Sequence, residues 1–154
     1  MLWSTNGSCI SVMEGHVNYI NGVIELSTGD IVSYSSDETL RLWSAHGVLK
    51  TVFEGHTHWI SGVIELRDGT VLSYSWDETL ILWSSEGEFI TALKSHSSII
   101  NGVVELQNGN LLSYSEDNTL ILWDREGILK TTGLASISSI KSAIELDAEN
   151  TLSC

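Results

Sequence analysis

Leu2-Trp3, Leu42-Trp43, Leu82-Trp83 and Leu122-Trp123 recur at intervals of 40 residues with no insertion or deletion. The chain is therefore one unit written nearly four times, ending six residues short of a fourth copy. A unit of this size cannot bury both of its faces alone and must stack on copies of itself, so the number of repeats constrains how the assembly closes.

Taking residues 41–80 as the type unit, short runs rich in β-forming residues appear (TVFEGH, WISGVIEL and TVLSYSW, followed by DETLILW), each bounded by turn residues. Thr28-Gly29, Asp68-Gly69 and Asn108-Gly109 predict tight hairpin turns in which glycine supplies a positive φ, and Gly7, Gly47, Gly87 and Gly127 mark a second set. No 3.6-residue periodicity competes. Four short antiparallel strands every 40 residues predict an all-β fold of propeller blades, with about four blades in the chain.

Gly15-His16 and Gly55-His56, weakened to Ser95-His96, then Asp37, Asp77 and Asp117 in a turn, then Trp43, Trp83 and Trp123, recur in phase. In this the chain resembles the WD-repeat β-propeller family over its whole length. It departs from the pattern where Ser44 and Ser84 follow the tryptophan, the signature aspartate standing only at Asp124, and where the usual proline before the Asp-Gly turn is missing. The resemblance implies strands a to d from the channel outward, with blades over residues 17–54, 57–94 and 97–134.

Each complete unit carries His, Ser, Asp and Trp at fixed offsets: His16, Ser33, Asp37, Trp43; His56, Ser73, Asp77, Trp83; and His96, Ser113, Asp117, Trp123. These residue types invite a hydrolase reading. A catalytic constellation occurs once per chain and needs an oxyanion hole and one pocket, whereas three equivalent copies point to a framework network, as in the family. No catalytic residue and no enzyme activity are expected. His56 and His58 could share a metal, but His56 belongs to the network and no third ligand is evident, so no metal or other cofactor is expected.

Glu25, Glu65, Glu105 and Glu145 occupy one repeated position near the end of strand a. They could form a ring of carboxylates near the channel mouth, taking a cation or basic peptide with raised pKa values. The plainer reading is that each accepts hydrogen bonds from turn amides.

Binding in repeat proteins usually sits where the units differ. The d–a loops read Val17-Asn18-Tyr19, Thr57-His58-Trp59 and Ser97-Ser98-Ile99, and the residue before the turn aspartate is Ser36, Trp76 or Glu116. The family places both loops on one face, so Tyr19, Trp59, Trp76 and Glu116 are candidate partner contacts. Packing between adjacent blades is the preferred reading for Tyr19 and Trp59; for Trp76 the two readings stand level.

With 20 acidic and 7 basic residues, the net charge of −13 opposes binding to nucleic acid or anionic membranes and favours a neutral or basic protein or peptide. No signal-like start or long apolar run is present, and Cys9 and Cys154 suit reduced thiols, so a cytoplasmic location is expected. An a–b pair from residues 137–154 and a c–d pair from residues 1–14 would complete one composite blade. Within one chain this closes four blades. Between two chains it closes an eight-bladed homodimeric ring, the preferred expectation. The most concrete function is a non-enzymatic interaction scaffold, the alternative being a fragment of a longer repeat array, natural or engineered, that self-assembles with no selected function of its own.

Overall fold

A computed structural model of the chain describes residues 1–124 and 126–134. The order is β1 (Leu2–Trp3), β2 (Cys9–Ser11), β3 (Ile20–Glu25), β4 (Ile31–Ser35), β5 (Thr39–Trp43), β6 (Leu49–Glu54), β7 (Ile60–Glu65), β8 (Val71–Ser75), β9 (Thr79–Trp83), β10 (Phe89–Lys94), β11 (Ile100–Glu105), β12 (Leu111–Ser115), β13 (Thr119–Trp123) and β14 (Leu129–Leu134). Among the described residues there is no helix, hence none long and apolar enough to cross a membrane.

The strands form three four-stranded antiparallel sheets, β3 to β6, β7 to β10 and β11 to β14, each ordered as in the chain, with β1 and β2 as a separate antiparallel pair. These are three blades and a two-stranded outer half-blade. The expected composite blade needs residues 137–154, which lie outside the described residues. Neighbouring blades meet chiefly through β3, β7 and β11, with β4 touching β7 and β8 touching β11. The first strand of each blade is thus the innermost.

Period-two alternation explains why blades stack. In the second blade Val71, Ile81 and Trp83 join the core shared with Val32, Leu40 and Leu42 of the first. The alternate residues Leu72, Leu80 and Leu82 join Leu111, Ile121 and Trp123 of the third. Each sheet is apolar on both faces, as a strand buried on both sides must be, and the residues between blades are close to fully buried.

Turns fix the register. The a–b turn of the second blade closes with Gly69 N–H donating to Leu66 C=O (2.9 Å) and Leu66 N–H to Thr70 C=O (2.8 Å), Gly69 standing at φ +85°. This is a three-residue hairpin loop ending in the left-handed region, which glycine adopts without a Cβ clash. Each blade starts with a bulge between the first and third residues of its inner strand, at Ile20/Gly22, Ile60/Gly62 and Ile100/Gly102. Past the bulge a glycine faces a tyrosine of the next strand; a Cβ on Gly62 would lie 2.1 Å from Tyr74 Oη. The phenol therefore lies over the glycine.

Candidate functional site

Antiparallel order places the d–a loops and b–c turns at one end of every blade and the a–b and c–d turns at the other. Ser36 N–H donates to Tyr19 C=O (2.8 Å) and Trp76 N–H to Trp59 C=O (2.9 Å), which ties the two loops of a blade together. The face they make holds both groups of candidate residues.

The His, Ser, Asp and Trp of each unit meet there. In the second blade His56 Nδ1 lies 2.8 Å from Asp77 Oδ2 and His56 Nε2 lies 2.7 Å from Ser73 Oγ, while Trp83 Nε1–H donates to that same Oγ (2.8 Å). The first and third blades repeat the arrangement at 2.8 and 3.0 Å for His–Asp, 2.8 Å in both for His–Ser and 2.9 Å in both for Trp–Ser. One tautomer satisfies every group: Nδ1–H donates to the carboxylate, and Nε2 accepts the serine hydroxyl proton. This is the connectivity of a hydrolytic triad, but Ser73 and Ser113 are fully buried and the oxygen that would attack already accepts an indole N–H. A nucleophile must be reachable by its substrate.

Sequence reasoning missed two members of each set. Thr79 Oγ1–H donates to Asp77 Oδ1 (2.7 Å), as Thr39 and Thr119 do to Asp37 and Asp117 (2.7 and 2.5 Å). Ser75 Oγ accepts the Asp77 amide (3.0 Å) and donates to Trp59 C=O (2.9 Å), as Ser35 does with the Asp37 amide and Tyr19 C=O, while Ser115 accepts the Asp117 amide and donates to Ser98 C=O (3.0 Å). The signal was present, since Ser-Tyr-Ser and the threonine two residues after the aspartate recur with the same period.

Burial opposes ionisation of these aspartates, yet the donors outweigh it. Hydrogen bonds from Thr39, His16 and the Val17 and Thr39 amides lower Asp37 to about 2. Asp117 is lowered to about 2 against the same opposing burial, through Thr119, the Ser97 and Thr119 amides and His96. Asp77 falls well below the usual carboxylate range: burial opposes, and hydrogen bonds from His56, Thr79 and the Thr57 amide prevail. A carboxylate that accepts several donors holds its charge this way.

The residues that differ between units show another pattern. Trp59 and Trp76 are exposed, and their rings lie 4.8 Å apart at 48°. The His58 ring stacks on Trp76 at 5.7 Å and 15° and meets Trp59 edge-on at 5.5 Å. Trp59 therefore does not fill the seam between blades, as preferred from sequence; the next residue, Ile60, does, fully buried. Tyr19 likewise stands exposed in the first blade, and Glu116 is exposed in the turn of the third. His58 Nδ1 accepts the Trp59 amide (2.8 Å) and His56 is held in its network, so the pair does not converge on an ion. Among the described residues no group of three or more His, Cys, Asp or Glu side chains could hold a metal.

At the opposite end, Glu65 Oε2 and Oε1 accept the amide and hydroxyl of Ser27 (2.7 Å each), and Glu105 Oε2 accepts the Arg67 amide (2.9 Å). Each carboxylate clasps the a–b turn of the preceding blade. Glu25, in the first blade, is exposed, and Glu145 lies outside the described residues.

The model of the WD domain, G-beta repeat matches residues 7–44, 47–84 and 87–124. The chain belongs to the WD40 repeat family. The fold agrees: it is similar to the WD40 beta propeller domain of Doa1 (TM-score 0.70, 25% identity, 79% of this chain and 42% of that one). It is similar also to the computationally designed Ika8 protein (TM-score 0.77, 25% identity, 87% of this chain and 42% of that one). To U3-55K it is similar in fold, with TM-score 0.75, 19% identity and coverage of 82% of this chain and 42% of that one. This WD40 chain thus spans less than half the length of each of these structures. No curated protein matches the sequence.

Proposed function

We propose that this WD40 chain is a non-enzymatic interaction scaffold that presents the face of d–a loops and b–c turns to a neutral or basic peptide segment of a protein partner. The observation that carries the reading is the exposed cluster of Trp59, Trp76 and His58. Exposed tryptophans held by ring contacts and by the backbone bond between their loops lose little freedom on binding, the property that makes tryptophan a frequent hot spot. Aromatic faces attract lysine and arginine cations, and a net charge of −13 steers such segments toward the chain. The buried serines of the Ser-His-Asp sets support the non-enzymatic reading.

The test is titration of short arginine- and lysine-bearing peptides, with uncharged and acidic peptides alongside, followed by tryptophan fluorescence and calorimetry. Saturable binding of the basic or uncharged peptides, weakened about 30-fold by Trp76→Ala as expected for an anchor worth about 2 kcal/mol, supports the proposal. Absence of saturable binding to millimolar concentration, or binding indifferent to Trp76→Ala, overturns it.

A second reading is a segment of a repeat array that assembles without a selected function of its own. Similarity to a designed propeller favours it, because a repeated framework can be built for its fold alone. The same titration separates the two.

A further inference from the structure

The first blade presents to solvent, on its inner half only, a surface that the other two blades bury. Ile20 is 58% exposed, whereas its equivalents Ile60 and Ile100 are 0% exposed; Val23 is 61% exposed, against 6% and 7% for Val63 and Val103. In the second and third blades these positions join the core shared with the preceding blade.

The outer half of the same surface is already covered. Trp43 is as buried as Trp83 and Trp123. A Cβ on Gly47 would meet the side chains of Ser11 and Met13, and one on Gly15 would meet Arg41, so the segment of β2 and the residues after it stacks there as an outer strand. Arg41 holds the place of Ile81 and Ile121, and its Nε is buried without a hydrogen-bond partner. The surface therefore lacks only an inner strand pair.

The repeat says what such a pair looks like. Leu66 and Leu72 of the second blade share a core with Ile100 and Val103 of the third, and 80 residues further on stand Leu146 and Leu152. The Glu65 and Glu105 clasps reach the residue 38 positions earlier; continued around a closed set of units, the same step pairs Glu25 with the Asp147 amide.

We infer that the inner half of this surface, centred on Ile20, Val23 and Glu25, is the docking site for residues 140–153 of a second copy of this chain. Reciprocal docking closes a two-fold ring, since each copy offers one such site and one such segment. A second copy, rather than the chain's own tail, follows from ring size. The chain covers 42% of each of three solved structures of this fold, so two copies together come near the length of one of those chains. This inference does not depend on what the aromatic face binds.

The experiment is sedimentation equilibrium of the full chain at micromolar concentration, with Val23→Asp and Glu25→Arg as separate variants. Both residues are exposed in the single chain, so neither change disturbs its folding. The expected result is twice the chain mass of 16.9 kDa for the unaltered protein and dimer affinity weakened at least 100-fold in both variants, with β circular dichroism retained. A single-chain mass for the unaltered protein, a mass of three or more chains, or a dimer indifferent to both substitutions overturns the proposal.

Discussion

Trp83 Nε1 donates to Ser73 Oγ across 2.8 Å, and the same oxygen lies 2.7 Å from His56 Nε2, all in a fully buried setting. Ser73→Ala removes one oxygen and strands two groups, an indole donor and an imidazole acceptor. Each buried group left unpaired costs about 1 to 3 kcal/mol, so a loss of about 3 kcal/mol is expected. Urea unfolding should show a lower midpoint at unchanged slope. Adding Trp83→Phe to Ser73→Ala should cost less than the sum of the two changes, because the second no longer breaks a bond.

The aspartates of the same network set the response to acid. Asp37 and Asp117 are lowered to about 2 from an ordinary 3.8, and Asp77 is lowered in the same direction. As pH falls, the unfolded chain takes up these protons first. Their contribution is therefore complete above the unfolded value and is lost as pH drops from about 4 toward 2. Unfolding followed at pH 6, 4, 3 and 2 should show little change down to the second point and a steep loss below it. Asp77→Asn should flatten the steep part and lower stability at pH 6.

Much of this was legible in the residues because the framework repeats. His56, Ser73, Asp77 and Trp83 share a period with two other sets, so their role could be read without coordinates. Thr79 and Ser75 repeat as faithfully, but threonine and serine in a strand-rich stretch look like ordinary strand and turn formers, and only geometry shows them bonded to Asp77. That Trp59 and Trp76 share one face was legible, but their ring contact was not, because nothing repeats it: the other blades carry Tyr19 with Ser36 and Ile99 with Glu116 at those places. Glu65 does accept a turn amide, as read from sequence, but which blade owns that turn was hidden for another reason. Its carboxylate acts on the preceding blade, and a reading taken unit by unit cannot see a bond that crosses between units.

Gly62 and Tyr74 form a pair in which the absence of a side chain is the functional feature. A methyl on Gly62 would sit 2.1 Å from Tyr74 Oη and 2.3 Å from Cζ, so the ring must leave its place over the strand. Gly62→Ala should cost about 1 to 3 kcal/mol, the usual penalty for overpacking. In a Tyr74→Leu background, where the phenol is gone, the same change should cost less than about 1 kcal/mol. Chemical denaturation of the four proteins in this cycle measures the coupling directly.

Glu65 joins two blades through one residue, since both carboxylate oxygens accept from Ser27, one from its amide and one from its hydroxyl. Bonds to a charged acceptor are worth about 1.5 to 3 kcal/mol when sheltered, and partial exposure reduces that, so Glu65→Ala should cost about 1 kcal/mol. Glu65→Gln should fall between, because an amide keeps one acceptor but turns a donor toward the other bond. Global stability alone would not separate this clasp from a generic loss of charge. Amide exchange does. The Ser27 N–H depends on Glu65 and should exchange at least tenfold faster in Glu65→Ala. The Gly29 N–H, bonded within its own turn to Leu26 (2.8 Å), should keep its protection. Equal acceleration at both amides would show the turn itself opening, and the clasp would then not be what holds it.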